Sequence, residues 1–163
     1  METLRDGGRL EIRALRPDDA GGMLGAAARS SSESLTRRFF APRRSFSDKE
    51  IAFFTQPDFE RHVALVAVTG QDGQPLIVGA ARYVVSQPRS AEIAFGVEDA
   101  HQRRGIAPAL LRHLVLIARS AGVEAFHAEV LPENVAMIAV FERSGLPLTR
   151  RLEHGVVHLE MRL

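Results

Sequence analysis

Ala91-Glu-Ile-Ala-Phe-Gly-Val97, followed by Glu98-Asp-Ala-His-Gln-Arg-Arg-Gly-Ile-Ala107, is the stretch of sequence that decides the fold. In its first seven residues, bulky apolar side chains alternate with small ones and one carboxylate, Glu92, which predicts a strand with one face in a core. The second part predicts a short loop that ends at Gly105, where a helix over residues 105–121 begins. A trough of small residues therefore lies beside the start of a helix.

The start of that helix is suited to a phosphorylated ligand. Backbone N–H groups of a first helical turn have no partner within the helix, and they lie at the positive end of the helix dipole. Arg103 and Arg104 stand immediately before Gly105 and add positive charge. The stretch thus predicts an anion site at one end of the trough and an acid, Glu92, at the other.

The composition is that of an ordinary globular protein. With 163 residues, 45% of them hydrophobic, the chain can build one proper core, so we expect a single domain over residues 1–163. A net charge of +1 gives no global attraction to nucleic acid or to a membrane surface. Cysteine is absent, which excludes a thiol nucleophile and thiolate metal ligands. The first residues lack the apolar core of a signal peptide, and no window predicts a membrane span, so we expect a cytoplasmic protein.

The remaining sequence predicts six more strands and four more helices. Alternating apolar residues and turn residues predict strands at residues 10–16, 63–69, 76–85, 124–131, 147–153 and 156–163. Helices are predicted from residue 17 to about 29, over 33–40, over 47–55, and from Asn134 to residue 145. Because a helix connects the strands at 91–97 and 124–131, these two are predicted to be parallel. The expected fold class is α/β: a mixed, mostly antiparallel sheet of six to seven strands with helices on both faces.

The order of elements, with Gln102-Arg-Arg-Gly105-Ile-Ala107 between strand and helix, resembles the GNAT superfamily of acyl-CoA-dependent N-acetyltransferases. The signature of that family is Gln/Arg-x-x-Gly-x-Gly/Ala, and a second matching unit is Asn134 with a helix ending at Ser144-Gly145-Leu146. Three further stretches are similar to the acetyltransferase domain of Pat-type bacterial protein lysine acetyltransferases: Ile12-Arg-Ala-Leu-Arg-Pro-Asp-Asp19, Ser32-Glu-Ser-Leu-Thr-Arg-Arg-Phe-Phe40 and Glu60-Arg-His-Val-Ala-Leu-Val66. The resemblance covers nearly the whole chain and implies a GNAT-like fold with a splayed parallel pair of strands.

The resemblance also implies acetyl-CoA as cosubstrate. In the family, the pantetheine arm pairs with the backbone of the splayed strand, and N–H groups of the signature hold the pyrophosphate. The implied cofactor-binding residues are Phe95, Gly96, Val97, Gln102, Arg103, Arg104, Gly105, Ile106, Ala107 and Asn134. Structural alternatives remain open: a bulge at Gly96, an ordinary basic loop at 102–107, and a helix N-cap at Asn134. Pro108 lacks an N–H group and so removes one potential phosphate donor.

Glu92 is the predicted general base. At neutral pH only about one lysine in two thousand is a free amine, so a carboxylate that accepts the proton assists attack on the thioester. The resemblance places the family's catalytic glutamate on this strand; the alternatives are a solvated strand residue at 92, or Glu98 or Glu129 as the base. Many family members have a tyrosine acid where this chain has Phe141. The single tyrosine, Tyr83, lies in another strand, so no acid is assigned.

The predicted function is therefore acetyl-CoA-dependent N-acetylation through direct amine attack in a ternary complex. By resemblance, the acceptor is a lysine of a target protein such as an AMP-forming acyl-CoA synthetase. The alternatives are a small-molecule amine or N-terminal acetyltransferase and a non-catalytic CoA-binding regulatory module. The basic and aromatic residues between 37 and 44 suggest substrate docking or a solvated helix rather than a nucleic-acid site. The six histidines show no metal-ligand spacing, so we expect no metal; a homodimer is left open.

Overall fold

The computed structural model describes residues 2–3, 9–19, 57–71, 74–97 and 105–163. These residues form eight strands, two α-helices and a 3-10 turn at Pro17–Asp19. The elements in chain order are β1 (Glu2–Thr3), β2 (Arg9–Ala14), β3 (His62–Gln71), β4 (Gln74–Gln87), β5 (Ser90–Val97), α1 (Ile106–Ser120), β6 (Ala125–Val130), α2 (Val135–Glu142), β7 (Leu148–Glu153) and β8 (Val156–Arg162).

All seven predicted strands are confirmed, and the two-residue β1 is an addition that the sequence pattern did not predict. The predicted helix start at residues 17–19 is a 3-10 turn; the rest of that helix (20–29), the predicted helices over 33–40 and 47–55, and the loop 98–104 lie outside the described residues. The helix predicted to end at residue 145 ends at Glu142, because the Ser144 hydroxyl donates to the carbonyl of Phe141 at 2.6 Å and terminates the last turn.

The strands form one sheet in the order β1-β2-β3-β4-β5-β6-β8-β7. Neighbouring strands are antiparallel except for β5 and β6, which are parallel, as the connecting helix predicted. The two-residue turn between β7 and β8 has positive φ at both His154 and Gly155, which matches the twist of a hairpin. The mixed, mostly antiparallel sheet with one parallel pair is therefore confirmed.

Both described helices pack on the same face of the sheet. The apolar side of α1 buries Leu110, Leu111 and Leu114, and each such side chain stabilises the fold by about 2 kcal/mol. From β5, Ile93 and Phe95 enter the same core, which confirms the predicted alternation. A smaller cluster on the opposite face contains Leu15, Ala64, Val66, Val68 and Ile77.

The first and last turns of α1 follow the predicted chemistry. Gly105 is the N-cap, with φ of 88°, a left-handed conformation that glycine adopts without strain. Gly122 follows the helix with φ of 84°, as expected for a helix stop. Within the described ranges, neither helix is both long and apolar enough to cross a bilayer. The helix thus begins directly at the end of the signature.

Candidate active site

The parallel ladder between β5 and β6 is short. It contains Ser90↔Ala125, Ala91↔Phe126 and, as its last pair, Glu92↔His127. Beyond that pair, β5 continues to Val97 beside β4, and β6 continues to Val130 beside β8. Because each strand follows its other neighbour, the two separate and leave a V-shaped opening whose closed end is at Glu92.

The two faces of β5 give this opening its chemical character. Ile93 and Phe95 are buried in the core, whereas Glu92 on the opposite face is exposed. Among the described residues, no hydrogen bond or ion pair engages the Glu92 carboxylate. A Cβ atom added at Gly96 would meet no atom within 4 Å. The small-residue face thus leaves free space above the strand, next to a carboxylate that no described group neutralises.

The start of α1 offers N–H groups for an anion. The first bond of the helix is the one from Ala109 N to Gly105 O, at 3.2 Å. The amides of Ile106 and Ala107 precede it, so they have no partner within the helix, while Pro108 carries no N–H group. The first turn contains no acidic residue that would compete for these donors. The predicted contacts of Gln102, Arg103 and Arg104 fall outside the described residues.

Gly79 on β4 is a further residue that shapes the site, and the sequence prediction missed it. A Cβ atom there would lie 3.2 Å from the carbonyl oxygen of Gly96 and 3.3 Å from Cγ2 of Ile106. The first residue of α1 therefore sits directly on the β4–β5 pair, at the open end of the V. A glycine inside a strand is the sequence signal for such a close approach.

Asn134 stands between β6 and α2 and is buried. Its side-chain oxygen accepts a hydrogen bond from the Met137 amide at 3.3 Å, so the N-cap role is confirmed. In the described part of the chain, the side-chain nitrogen Nδ2 of Asn134 has no hydrogen-bond partner, whereas the backbone N–H donates to the Leu131 carbonyl at 2.9 Å. Its predicted contact with the cofactor remains a prediction that the N-cap role does not contradict.

Phe141, which stands where many family members have a tyrosine acid, and Tyr83, the single tyrosine, are both buried in the core. Phe141 is 1% exposed and packs edge-on against Phe95, with 5.6 Å between ring centroids. Tyr83 is fully buried in the same core, on the face opposite Glu92, and its hydroxyl has no hydrogen-bond partner among the described residues. Burial raises the pKa of Tyr83. No side-chain acid is assigned.

Of the histidines on the same face as Glu92, His62 and His127 have different surroundings. His62 is buried, and its Nε2 is 2.9 Å from the Arg82 guanidinium; burial and the Arg82 charge lower the pKa of His62 to about 4. His127 is half-buried, and its two ring nitrogens lie beside the hydroxyls of Ser86 and Ser90. Nowhere in the described ranges do three or more side chains come together as a metal site would require.

The comparisons with known proteins agree with this geometry. The sequence profile of the acetyltransferase (GNAT) family matches residues 31–146. The chain is 32% identical over 160 residues to acetyltransferase Pat of Mycolicibacterium smegmatis, covering 97% of this chain and 47% of that protein. It is 28% identical over 138 residues to acetyltransferase PA5475 of Pseudomonas aeruginosa, covering 84% of this chain and 74% of that one.

Among solved structures, the GNAT domain of S. lividans PAT superposes with a TM-score of 0.89 at 40% identity, covering 99% of this chain and 95% of that one. The chain spans about half the length of M. smegmatis Pat. The sequence match, the splayed strands and the helix start converge on one conclusion: the chain belongs to the GNAT family of acetyltransferases, which are acyltransferases that use acetyl-CoA.

Proposed function

We propose that the chain transfers the acetyl group of acetyl-CoA to a lysine of a target protein, by direct amine attack in a ternary complex. The observation that carries the proposal is the end of the β5–β6 ladder at Glu92. It leaves an exposed carboxylate at the closed end of an opening whose other end meets the start of α1. The similarity to two acetyltransferases named Pat supports a protein lysine as the acceptor.

Acetyl-CoA would lie along the free edge of β5. From Glu92 to Val97 the strand rises about 16 Å, a length that an extended pantetheine arm can follow. Backbone groups of Phe95, Gly96 and Val97 would pair with the arm, and the free space above Gly96 would accommodate it. The N–H groups of Ile106 and Ala107 would bind the pyrophosphate. The proposal adds Gln102, Arg103, Arg104, Gly105 and Asn134 as the remaining cofactor contacts.

The proposed reaction needs one base and no dedicated acid. Glu92 accepts a proton from the lysine ammonium, and the resulting amine attacks the thioester carbonyl. Backbone N–H groups on the free edge of β5 stabilise the negative charge on the carbonyl oxygen. The attacking nitrogen then loses its second proton to solvent, the C–S bond breaks as the carbonyl re-forms, and CoA leaves as a thiolate, which is stable enough to depart without prior protonation. Since Glu92 is exposed, its proton passes to solvent.

An AMP-forming acyl-CoA synthetase is the proposed acceptor, on the strength of the Pat similarity alone. Both substrates belong to the cytoplasm, so the proposal includes that location. The test is the intact mass of a purified synthetase after incubation with this protein and acetyl-CoA. We expect the gain of one acetyl group, and no gain when the active-site lysine of the synthetase is replaced by arginine. Acetylation of polyamines or aminoglycosides alone would instead identify a small-amine acetyltransferase.

A CoA-binding module without turnover is the second candidate. It is favoured by Pro108, which removes one phosphate donor, and by the burial of Phe141 where an acid is common in the family. Release of free thiol from acetyl-CoA in the presence of an acceptor distinguishes the two. Tight binding of acetyl-CoA without thiol release from any acceptor would favour the module.

The proposal treats residues 1–163 as one catalytic domain. Strands near both ends of the chain, Glu2–Thr3 and Val156–Arg162, belong to the same sheet as β5. A single sheet that includes both ends should unfold as one cooperative unit. One thermal transition is therefore expected in calorimetry, and two separate transitions would contradict a single domain.

A further inference from the structure

We propose that His127, held between the hydroxyls of Ser86 and Ser90, is a positioning residue for the Glu92 carboxylate. The inference rests on the proposed role of Glu92 as the base. It concerns a cluster of side chains at the closed end of the V that the acetyl-transfer steps themselves do not use. We call Ser86, Ser90 and His127 the serine–histidine clamp.

The clamp lies at the last pair of the parallel ladder. His127 is the register partner of Glu92, so the two side chains project from the same face of neighbouring strands. Nδ1 of His127 is 3.2 Å from the Ser90 hydroxyl oxygen, and Nε2 is 3.3 Å from that of Ser86. Ser86 lies near the end of β4 and Ser90 begins β5. One imidazole thus ties β6 to the turn between the two preceding strands.

Both hydrogen bonds of the clamp can form with a neutral imidazole. One ring nitrogen then carries a hydrogen and donates it to a serine oxygen, and the other accepts a hydrogen from the second serine. Each hydroxyl can take either role, so both ring nitrogens are satisfied at once. The ring is therefore fixed in orientation by bonds at both of its ends rather than at one.

The ring stands next to Glu92 in the register of the sheet. On the same face, Glu92 lies between two register partners, Val84 on β4 and His127 on β6. Val84 is half-buried and offers no hydrogen bond, and the imidazole nitrogens are directed to the serines. Among the described residues, no group takes up the lone pairs of the carboxylate, so the inferred positioning acts through the two side chains that flank Glu92 in the neighbouring strands.

The clamp also fixes the point at which the strands separate. β5 and β6 share only the pairs from Ser90 to Glu92, whereas β5 pairs with β4 along its whole length. A junction of three pairs is easily shortened, and the loss of its last pair would move the Glu92 backbone toward solvent. The side-chain bonds from His127 across this junction oppose that loss.

The charged groups around the ring come from both neighbouring strands. On β5 the partner is Glu92, and on β8 the partner of His127 is Glu160.

An ordinary surface histidine in this place would affect the stability of the sheet but not the action of Glu92. A positioning residue affects the rate through Glu92. Removing the His127 side chain should therefore lower the rate when Glu92 is present and should have no effect when the Glu92 carboxylate has been removed.

A double-mutant cycle of Glu92→Gln and His127→Ala separates these cases, with thiol release from acetyl-CoA and a purified AMP-forming acyl-CoA synthetase as the assay. We expect His127→Ala alone to lower kcat about tenfold, the order of coupling between neighbouring side chains, and to leave the KM for acetyl-CoA unchanged. In the Glu92→Gln background, His127→Ala should have no further effect. The joint variant Ser86→Ala, Ser90→Ala should lower kcat in the same direction without removing the ring.

His158→Ala is the matched control, because His158 lies on the same face beside a carboxylate, 3.7 Å from Glu129, but outside the clamp. Its kcat should equal that of the unaltered protein. His127→Gln, which can still reach a serine hydroxyl, should recover part of the lost rate. An equal fold-loss from His127→Ala in both backgrounds, or none in either, would overturn the inference. A full rate in Glu92→Gln alone would instead overturn the base.

Discussion

β5 meets its two neighbours in opposite ways. Against β4 its antiparallel ladder runs from Ser90 to Val97, whereas against β6 its parallel ladder ends at Glu92. One row of side chains crosses both junctions on the face that carries Glu92. From β3 to β6, the row contains His62, Val84, Glu92 and His127.

The two ends of this row differ in burial, as the two junctions differ in the length of their pairing. At the β3 end, His62 is buried against Arg82, and at the β6 end His127 is half-buried between two serines. Long antiparallel ladders and burial stabilise the β3–β4–β5 side. Incomplete pairing on the other side frees strand edges and leaves a carboxylate accessible. The site thus arises where the sheet is least complete, supported by the part that is most complete.

The largest expected effect is at the β5–β6 junction, where Glu92 lies. Glu92→Gln removes the proposed base but keeps the shape of the side chain, so kcat at neutral pH should fall between about a hundredfold and ten-thousandfold. The KM for acetyl-CoA should change little, because the proposed contacts of the cofactor lie further along β5. Steady-state kinetics with both substrates varied measures this. Glu160→Gln, an exposed carboxylate two strands away on the same face, is the control and should keep its rate.

The next effect concerns His62, at the β3 end of the row, and is measured as the pH dependence of the free energy of unfolding. His62 has a pKa of about 4 in the folded chain, against an ordinary value near 6.5, because burial and Arg82 disfavour its charged form. Between these values the unfolded chain binds a proton that the folded chain does not, so the free energy of unfolding should fall as pH is lowered from about 6.5 to 4, by about 3 kcal/mol. Urea unfolding across this range measures the slope.

His62→Gln should flatten that slope, since the titrating group is gone. The Asp19 carboxyl does not interfere in this window. Hydrogen bonds from Arg13 lower its pKa below the usual range, so its contribution is lost only at still lower pH. An unchanged slope in His62→Gln would show that another group is responsible and that His62 is not held neutral by its surroundings.

A smaller effect is expected at Gly79, where the β4–β5 pair contacts the start of α1. In Gly79→Ala, the new methyl group would press on Ile106 and on the carbonyl of Gly96, and the repacking should cost about 1–3 kcal/mol of stability. Because the start of α1 is displaced, acetyl-CoA affinity should fall as well. Calorimetric titration with acetyl-CoA and thermal unfolding measure both. Gly70→Ala, where a Cβ atom meets nothing within 4 Å, should change neither affinity nor steric packing.

The smallest effect concerns the buried tyrosine of β4. Tyr83→Phe removes a buried hydroxyl that has no partner in the described part of the chain, so stability should stay equal or rise by up to about 1 kcal/mol. The rate of acetyl transfer should not change, because the hydroxyl lies in the core opposite Glu92. A marked loss of kcat with stability retained would mean that Tyr83 supplies the acid after all.

The sequence pattern predicted those features that depend on neighbouring residues. Alternation in 91–97 predicted which side chains of β5 are buried, and the connecting helix predicted the parallel pair. Gly105 and Gly122 were placed correctly at the two ends of α1, because both positions require a backbone that glycine adopts easily. Local composition carries this information, so these predictions hold without knowledge of the fold.

Features that depend on register between distant residues could not be predicted. The pairing of Glu92 with His127 joins positions 35 residues apart in the sequence, and nothing local states where the ladder ends. The bonds of His127 to Ser86 and Ser90 depend on the same register. The burial of His62 beside Arg82 depends on which rows of the sheet are covered. The neighbours of these residues come from other strands, so they are known only once the strands have paired in the sheet.

The central claim is that the edge of β5 freed beyond Glu92 binds acetyl-CoA. Amide hydrogen exchange of residues 93–97, with and without acetyl-CoA, tests it most directly. Amides in that segment not bonded to β4 should exchange rapidly in the free protein and become protected when the cofactor binds, whereas residues 63–67 of β3 should change little. Saturating acetyl-CoA with no added protection anywhere in residues 93–97 would contradict the account.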